Sequence, residues 1–206
     1  MHERLDELRR RESAWATLQW HRRGTVDLAP DSGVYELQHG IFIQGIRDAG
    51  ASVSAQSNGV RIMPLPHSAT TISSEVAESE FTPEEYGLGF DFADFNIDPE
   101  QNLAVYACFG VLDDPESTLQ AHIRIRQLSG GGKAYPRARA ERLDLRPTTR
   151  GGLMFNIQIF GDFVGILTRS ILGEPDGRDS EFFLYNWQTG TLQTVRTSEH
   201  GSPITG

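Results

Sequence analysis

Residues 181–190 read EFFLYNWQTG, five apolar or aromatic residues in seven followed by Gln188-Thr189-Gly190. A short apolar strand that stops at a turn is common in β proteins, so what decides the fold is whether the phrase recurs. It does. HIRIRQLSGG, residues 122–131, ends its strand at Gly130, 60 positions before Gly190. Three further apolar runs follow matching turns: His39-Gly40 before Ile41-Phe42-Ile43, Gln101-Asn102 before Leu103-Ala104-Val105-Tyr106, and Gly161-Asp162 before Phe163-Val164-Gly165-Ile166-Leu167. The turn positions 40, 102 and 162 are 62 and 60 apart. GVRIMPLP, residues 59–66, holds the equivalent place in the first unit, and Pro64 and Pro66 predict an edge or degenerate strand there. Each unit thus offers about four short strands over roughly 60 residues, which suits propeller blades better than an immunoglobulin-like sandwich, whose strands lack self-similarity. The expected fold is mainly β: a partial, about three-blade β-propeller-like repeat region over 24–206, with units at about 24–66, 87–138 and 152–195.

An N-terminal α-helix precedes it. Over residues 3–23, Leu5, Leu8, Trp15 and Leu18 fall on one narrow stripe at helical spacing, Asp6/Arg10 and Glu7/Arg11 are i,i+4 pairs in the favourable order, and Arg22-Arg23-Gly24 closes the segment. Both flanks of the stripe are charged, so Leu8 and Trp15 are expected to pack against the β units, with Trp20 anchoring the next segment. The stretch HSATTISSEVAESEFTPEEYG, residues 67–87, has no periodicity and is expected as a surface loop between units one and two. GVLDDPEST and LGEPDGRDS are expected as turns at corresponding points of units two and three.

At 206 residues the chain can bury a sizeable core. It has no apolar run long enough for a membrane-spanning helix. Its charged start and the lone Cys108 argue for an intracellular address, cytoplasmic or nuclear. The net charge of −9 is unevenly spread: residues 62–123 hold 12 acidic residues and no Lys or Arg, whereas 124–150 hold eight bases against Glu141 and Asp144. So acidic a segment makes duplex nucleic acid an unfavourable partner, and acidic and basic surfaces are expected to face each other in part or simply to keep the chain soluble.

The chemistry-bearing residue types form no reaction centre. Asp94-Phe95-Asn96-Ile97-Asp98 starts like a calcium loop, but Pro99 stands where glycine must turn the chain and Val105 where the bidentate Glu belongs, so Phe95 and Ile97 read as inward strand residues. SGGGKAYP, residues 129–136, lacks the leading glycine and the Ser/Thr of a phosphate loop and reads as a hairpin turn. The six histidines make no close ligand pair, His122 reads as an ordinary sheet residue, and Cys108 as a buried, inert thiol. No catalytic residue, metal ligand or cofactor is assigned.

LYNWQTG resembles the strand-end phrase of WD-type repeats. In order, RLDELRRRESAWATLQW, VYELQHGIF, DFNIDPEQNLAVY, HIRIRQLSGG, IQIFGDFVGIL and FFLYNWQTG resemble fungal F-box proteins in which the F-box is followed by a degenerate propeller-like region. The resemblance implies a non-catalytic, client-binding region of a ubiquitin-ligase substrate receptor. Its partner is a protein client, and the ligase adaptor joins only where an F-box is present elsewhere in the full-length protein. The alternatives are a propeller-type enzyme or carbohydrate binder with a site on inter-blade loops, and a truncated fragment without independent function. Three units fall short of the four to eight that close a propeller. An interaction or blade-packing surface is therefore expected at Trp15, Phe183, Tyr185 and Trp187, with the face of unit three built from these or their alternating neighbours left open to self-association.

Overall fold

A computed structural model of the chain describes residues 2–17, 28, 33–47, 56–65, 83–111, 119–148, 153–170 and 178–199. Among these residues helix α1 spans His2–Thr17, and twelve strands follow. β1 (Tyr35–Gln38), β2 (Ile41–Ile46), β3 (Ser57–Pro64) and β4 (Glu84–Phe92) form the first sheet; β5 (Asp94–Asp98), β6 (Leu103–Val111), β7 (Leu119–Gln127) and β8 (Arg142–Thr148) the second; β9 (Leu153–Phe160), β10 (Phe163–Ser170), β11 (Arg178–Asn186) and β12 (Thr191–Glu199) the third. The chain is mainly β. Each sheet is an antiparallel meander in chain order, four strands per unit as the repeat predicts.

The repeated turns occupy equivalent places. Positions 39–40, 99–102 and 161–162 join the first two strands of each sheet, and Gly40, Asn102 and Gly161 all adopt positive φ, at 76°, 55° and 55°. Gly130 and Gly190, the two phrase ends, follow the third strands of their sheets with φ of 76° and 70°. Turn chemistry thus sets the hairpins, because a tight reversal needs a left-handed residue that Gly or Asn supplies cheaply.

Two cores run between the sheets. Ile43, Val60 and Phe92 of the first sheet pack against Phe95, Ile97, Ala104, Tyr106, Cys108 and Leu128 from the second. The opposite face of the second sheet, with Leu103, Val105, Ala107, Ile123, Ile125 and Leu143, packs against Ile157, Val164, Ile166, Phe183, Tyr185 and Trp187 of the third. The second sheet is therefore the middle layer, which is why β6 reads LAVYAC without a polar break: all of Leu103–Cys108 is buried. First strands lie side by side, β1 next to β5 and β5 next to β9.

Several expectations need correction. β3 is an interior strand, between β2 and β4; its Pro64 pairs with Ile41 beyond Ile62, where pairing with β4 ends, so the missing N–H falls outside that ladder. The sheets end later than the units set from the repeat. β4 begins at Glu84 and belongs to the first sheet, so the aperiodic segment lies inside that sheet, between β3 and β4, with 66–82 outside the described residues. SGGGKAYP is not a tight hairpin but part of the irregular 128–141 connection between β7 and β8. Along α1 the apolar stripe is not buried: Leu5, Leu8 and Trp15 keep 45%, 49% and 66% of their surface. A few apolar residues among charged flanks add little to cores already filled by the sheets. Leu18, Trp20 and the end of the expected helix at residue 23, like most of GVLDDPEST and LGEPDGRDS, lie outside the described residues.

Candidate functional site

The residues expected at an open blade face divide sharply. Phe183, Tyr185 and Trp187 are buried between the second and third sheets, at 4%, 6% and 0% exposure. The Trp187 indole donates to the Gly161 carbonyl (2.8 Å) and meets Tyr135 edge-on, centroids 5.2 Å apart. Tyr185 donates its hydroxyl proton to the Asp144 carbonyl at 2.6 Å. These side chains pack sheet on sheet. Their alternating neighbours Phe182 and Leu184 point the other way, together with Phe163 and Leu167, since cross-strand partners share a face. Phe163 and Leu167 are exposed, as are Met154 and Phe160 on the same face of β9.

A second locality is the face of the middle sheet turned to the first. β6 and β7 pair Cys108 with His122 and Tyr106 with Arg124, a juxtaposition that a search for neighbours in sequence misses and that pairing the two strands would find. Burial pushes the Cys108 thiol up to about 12, and its Sγ donates to the Tyr106 carbonyl at 3.8 Å. His122 is buried, and desolvation holds its imidazole below the ordinary value. A protonated thiol beside a neutral imidazole is not an activated nucleophile, because the thiolate does the attacking. Arg124 and Arg126 lie over the Phe90 ring at 4.7 and 5.4 Å, and Arg126 also pairs with Glu141 at 2.7 Å. Tyr106 Oη and His122 Nε2 are buried without a hydrogen-bond partner, and each such group costs about 1–3 kcal/mol.

The third locality lies where β1 meets β5. Gln38 donates to Asn96 Oδ1 at 3.4 Å and His39 stands 3.7 Å from Glu100. Asp94 opens β5, and Phe95 N–H donates to its carboxylate at 2.8 Å. Burial raises Asp94 to about 6; the Phe95 hydrogen bond opposes that shift and the Glu36 charge adds to it. Burial raises Glu36 as well. A pocket of ≈ 220 Å³ lined by Gly33, Val34, Arg47, Gln56, Ser57, Phe92 and Ala93 ends one residue short of Asp94. No sequence signal marks the Glu36–Asp94 approach, since it depends on how two sheets stack. Phe95 and Ile97, read as inward strand residues, are buried at 3% and 1%.

The 128–141 connection is tied to the first-hairpin end of the sheets. Leu128 N–H donates to the Asn102 carbonyl, Tyr135 donates to the Gln101 carbonyl, and Arg139 N–H to the Gln188 carbonyl. Gly132 sits at a φ of +64°, where a side chain would be strained. Lys133, Arg137 and Arg139 are exposed along this connection. Among the described residues no group of three or more His, Cys, Asp or Glu could hold a metal ion, and no helix is long and apolar enough to cross a membrane. No family model, curated protein or solved structure matches the chain.

Proposed function

We propose that the chain is a non-catalytic protein-interaction module, a partial three-blade propeller-like array resembling the client-binding region of a fungal F-box protein, a ubiquitin-ligase substrate receptor. The observation that carries this reading is the stacking of three equivalent meanders in chain order through their first strands, the way propeller blades gather about an axis. The client docks on the end that bears the first-hairpin turns and the 128–141 connection. Exposed Lys133, Arg137 and Arg139 there favour an acidic contact segment. The protonated Cys108 thiol beside neutral His122 supports the non-catalytic part. Neither nucleic acid nor a membrane is a partner in this reading, and a ligase adaptor is one only where an F-box occurs elsewhere in the full-length protein. Crosslinking mass spectrometry of the chain with its captured client tests it: crosslinks are expected on the 128–141 connection. Lys133→Glu/Arg137→Glu/Arg139→Glu is expected to abolish capture while the chain stays folded, with the melting temperature lowered only by loss of the Arg137 guanidinium from over the Trp187 ring. Capture indifferent to that triple reversal removes the reading.

One observation favours a second reading, a small-ligand site: the pocket beside Asp94, with Arg47 in its wall. A rise in melting temperature with a panel of saccharides, lost in Ser57→Trp, would support it.

A further inference from the structure

We infer that the pocket in the first sheet binds a small organic acid, a carboxylate on an apolar body, with Arg47 and Ser57 holding the carboxylate. The inference rests on the small-ligand reading above and names the ligand class. The walls of this ≈ 220 Å³ cavity come from the run into β1, the residue after β2, the start of β3 and the exit from β4, so it lies at the end of the sheet opposite the Gly40 turn. Ser57 is only 3% exposed, and among the described residues its hydroxyl has no hydrogen-bond partner. A buried hydroxyl in that position is costly unless something in the cavity completes its hydrogen bond.

The charge and shape of the lining select the ligand. Arg47 is the one charged residue that lines the cavity, and a guanidinium matches a carboxylate in two parallel hydrogen bonds. No carboxylate lines it to receive the hydroxyls of a sugar. Val34, Phe92 and Ala93 supply an apolar wall, with Phe92 fully buried. The volume is below the roughly 300–1,000 Å³ of sites that take drug-sized ligands, so the apolar body is small. Two carboxyls stand close by, Asp94 one residue beyond Ala93 and Glu36 on β1, and burial raises both. Protonated, they carry no charge toward the ligand; ionised, they repel it. Of the other elements around β5, β6 brings Tyr106 and Cys108, whose protons burial retains, β9 brings no titratable residue, and Asp91 is exposed near the end of β4. Binding is therefore expected to weaken as pH rises through about 6, the value to which Asp94 is raised.

Calorimetric titration of the full chain with benzoate, benzyl alcohol and inorganic phosphate tests this, with far-UV circular dichroism as the folding control. At about pH 5 benzoate is expected to bind at least about tenfold more tightly than either of the others, and to bind less tightly at pH 7. Arg47→Gln and Ser57→Ala are each expected to weaken benzoate by about tenfold. Gly33→Leu is expected to abolish binding in a folded chain, because a side chain there grows into the cavity and its Cβ meets only the Arg47 guanidinium, at 3.9 Å. Benzoate that binds no better than benzyl alcohol or phosphate overturns the inference. So does benzoate binding that survives Gly33→Leu, or that tightens from pH 5 to 7. Saccharides that raise the melting temperature where benzoate does not would overturn the acid and leave the small-ligand reading standing; a melting temperature indifferent to both removes that reading as well.

Discussion

β6 and β10 hold equivalent places in the middle and last sheets, and their burial differs. Along β6 every residue from Leu103 to Cys108 is buried; along β10 Val164, Ile166, Thr168 and Ser170 are buried while Phe163, Leu167 and Arg169 are exposed. A strand presents alternate side chains to opposite faces, so the first pattern needs a neighbour on each side and the second needs only one. The outward residues of β10 are nonetheless mostly apolar. On β10, then, an apolar outward face goes with the burial of a layer that has one neighbour, while the flanking strands turn Asn156, Gln158, Thr194 and Arg196 to that same face.

The largest effect that probes this contrast is loss of the joint between the two sheets. Trp187→Ala removes a fully buried ring together with its bond to Gly161, and about 3–5 kcal/mol of stability is expected to go with it. A denaturation midpoint within error of wild type would mean that the joint does not hold the layers. Next come two adjacent residues of β10. Ile166→Ala is expected to cost about 2–5 kcal/mol. Leu167→Ala should stay within about 0.5 kcal/mol. Equal losses at both positions in urea titrations would erase the distinction between covered and uncovered faces.

A smaller effect concerns the joint between the first and middle sheets. Asp94 holds its proton up to about pH 6 when folded, against 3.8 in the ordinary state. The folded chain therefore binds more protons than the unfolded chain between about pH 4 and 6. The contribution of Asp94 to stability is fully present below that window and is lost as pH rises through it. Asp94→Asn should remove that contribution and raise the midpoint at pH 7 relative to wild type; a difference between wild type and Asp94→Asn that stays constant from pH 4 to 7 would contradict the placement of this carboxylate. The smallest effect belongs to α1, where Leu8→Ala is expected to change stability by no more than about 0.5 kcal/mol, because Leu8 is already half exposed. A loss of several kcal/mol would show that the helix is packed after all.

Much of the fold was legible because its signals are local. Gly40, Asn102 and Gly161 mark reversals that only a few residue types make cheaply, and period-two alternation marks strands whatever they pack against. The burial of Phe95 and Ile97 followed from the same alternation, whereas Cys108 was read as buried because no His or basic cluster stands near it in sequence. Pro64 misled because a proline near a strand end says nothing about which strand lies beyond it, and 66–82, between β3 and β4, hides that strand from a local reading. The candidate sites were less legible. Phe183, Tyr185 and Trp187 were recognisable as one face of a strand, but the two faces of an aromatic-rich strand such as FFLYNW look alike until a neighbouring sheet covers one of them.

By itself, then, the sequence determined four short strands per unit, three units, and the turns that join their first hairpins. These depend on backbone preferences and on alternation along a few residues. Only the tertiary structure decided that the second sheet lies in the middle, that Phe182 and Leu184 rather than Phe183 and Tyr185 face outward, and that Glu36 meets Asp94 and Cys108 meets His122. Contacts of that kind join residues many positions apart. What fixes them is the burial of one whole sheet face against another, a sum over many side chains that no short stretch contains.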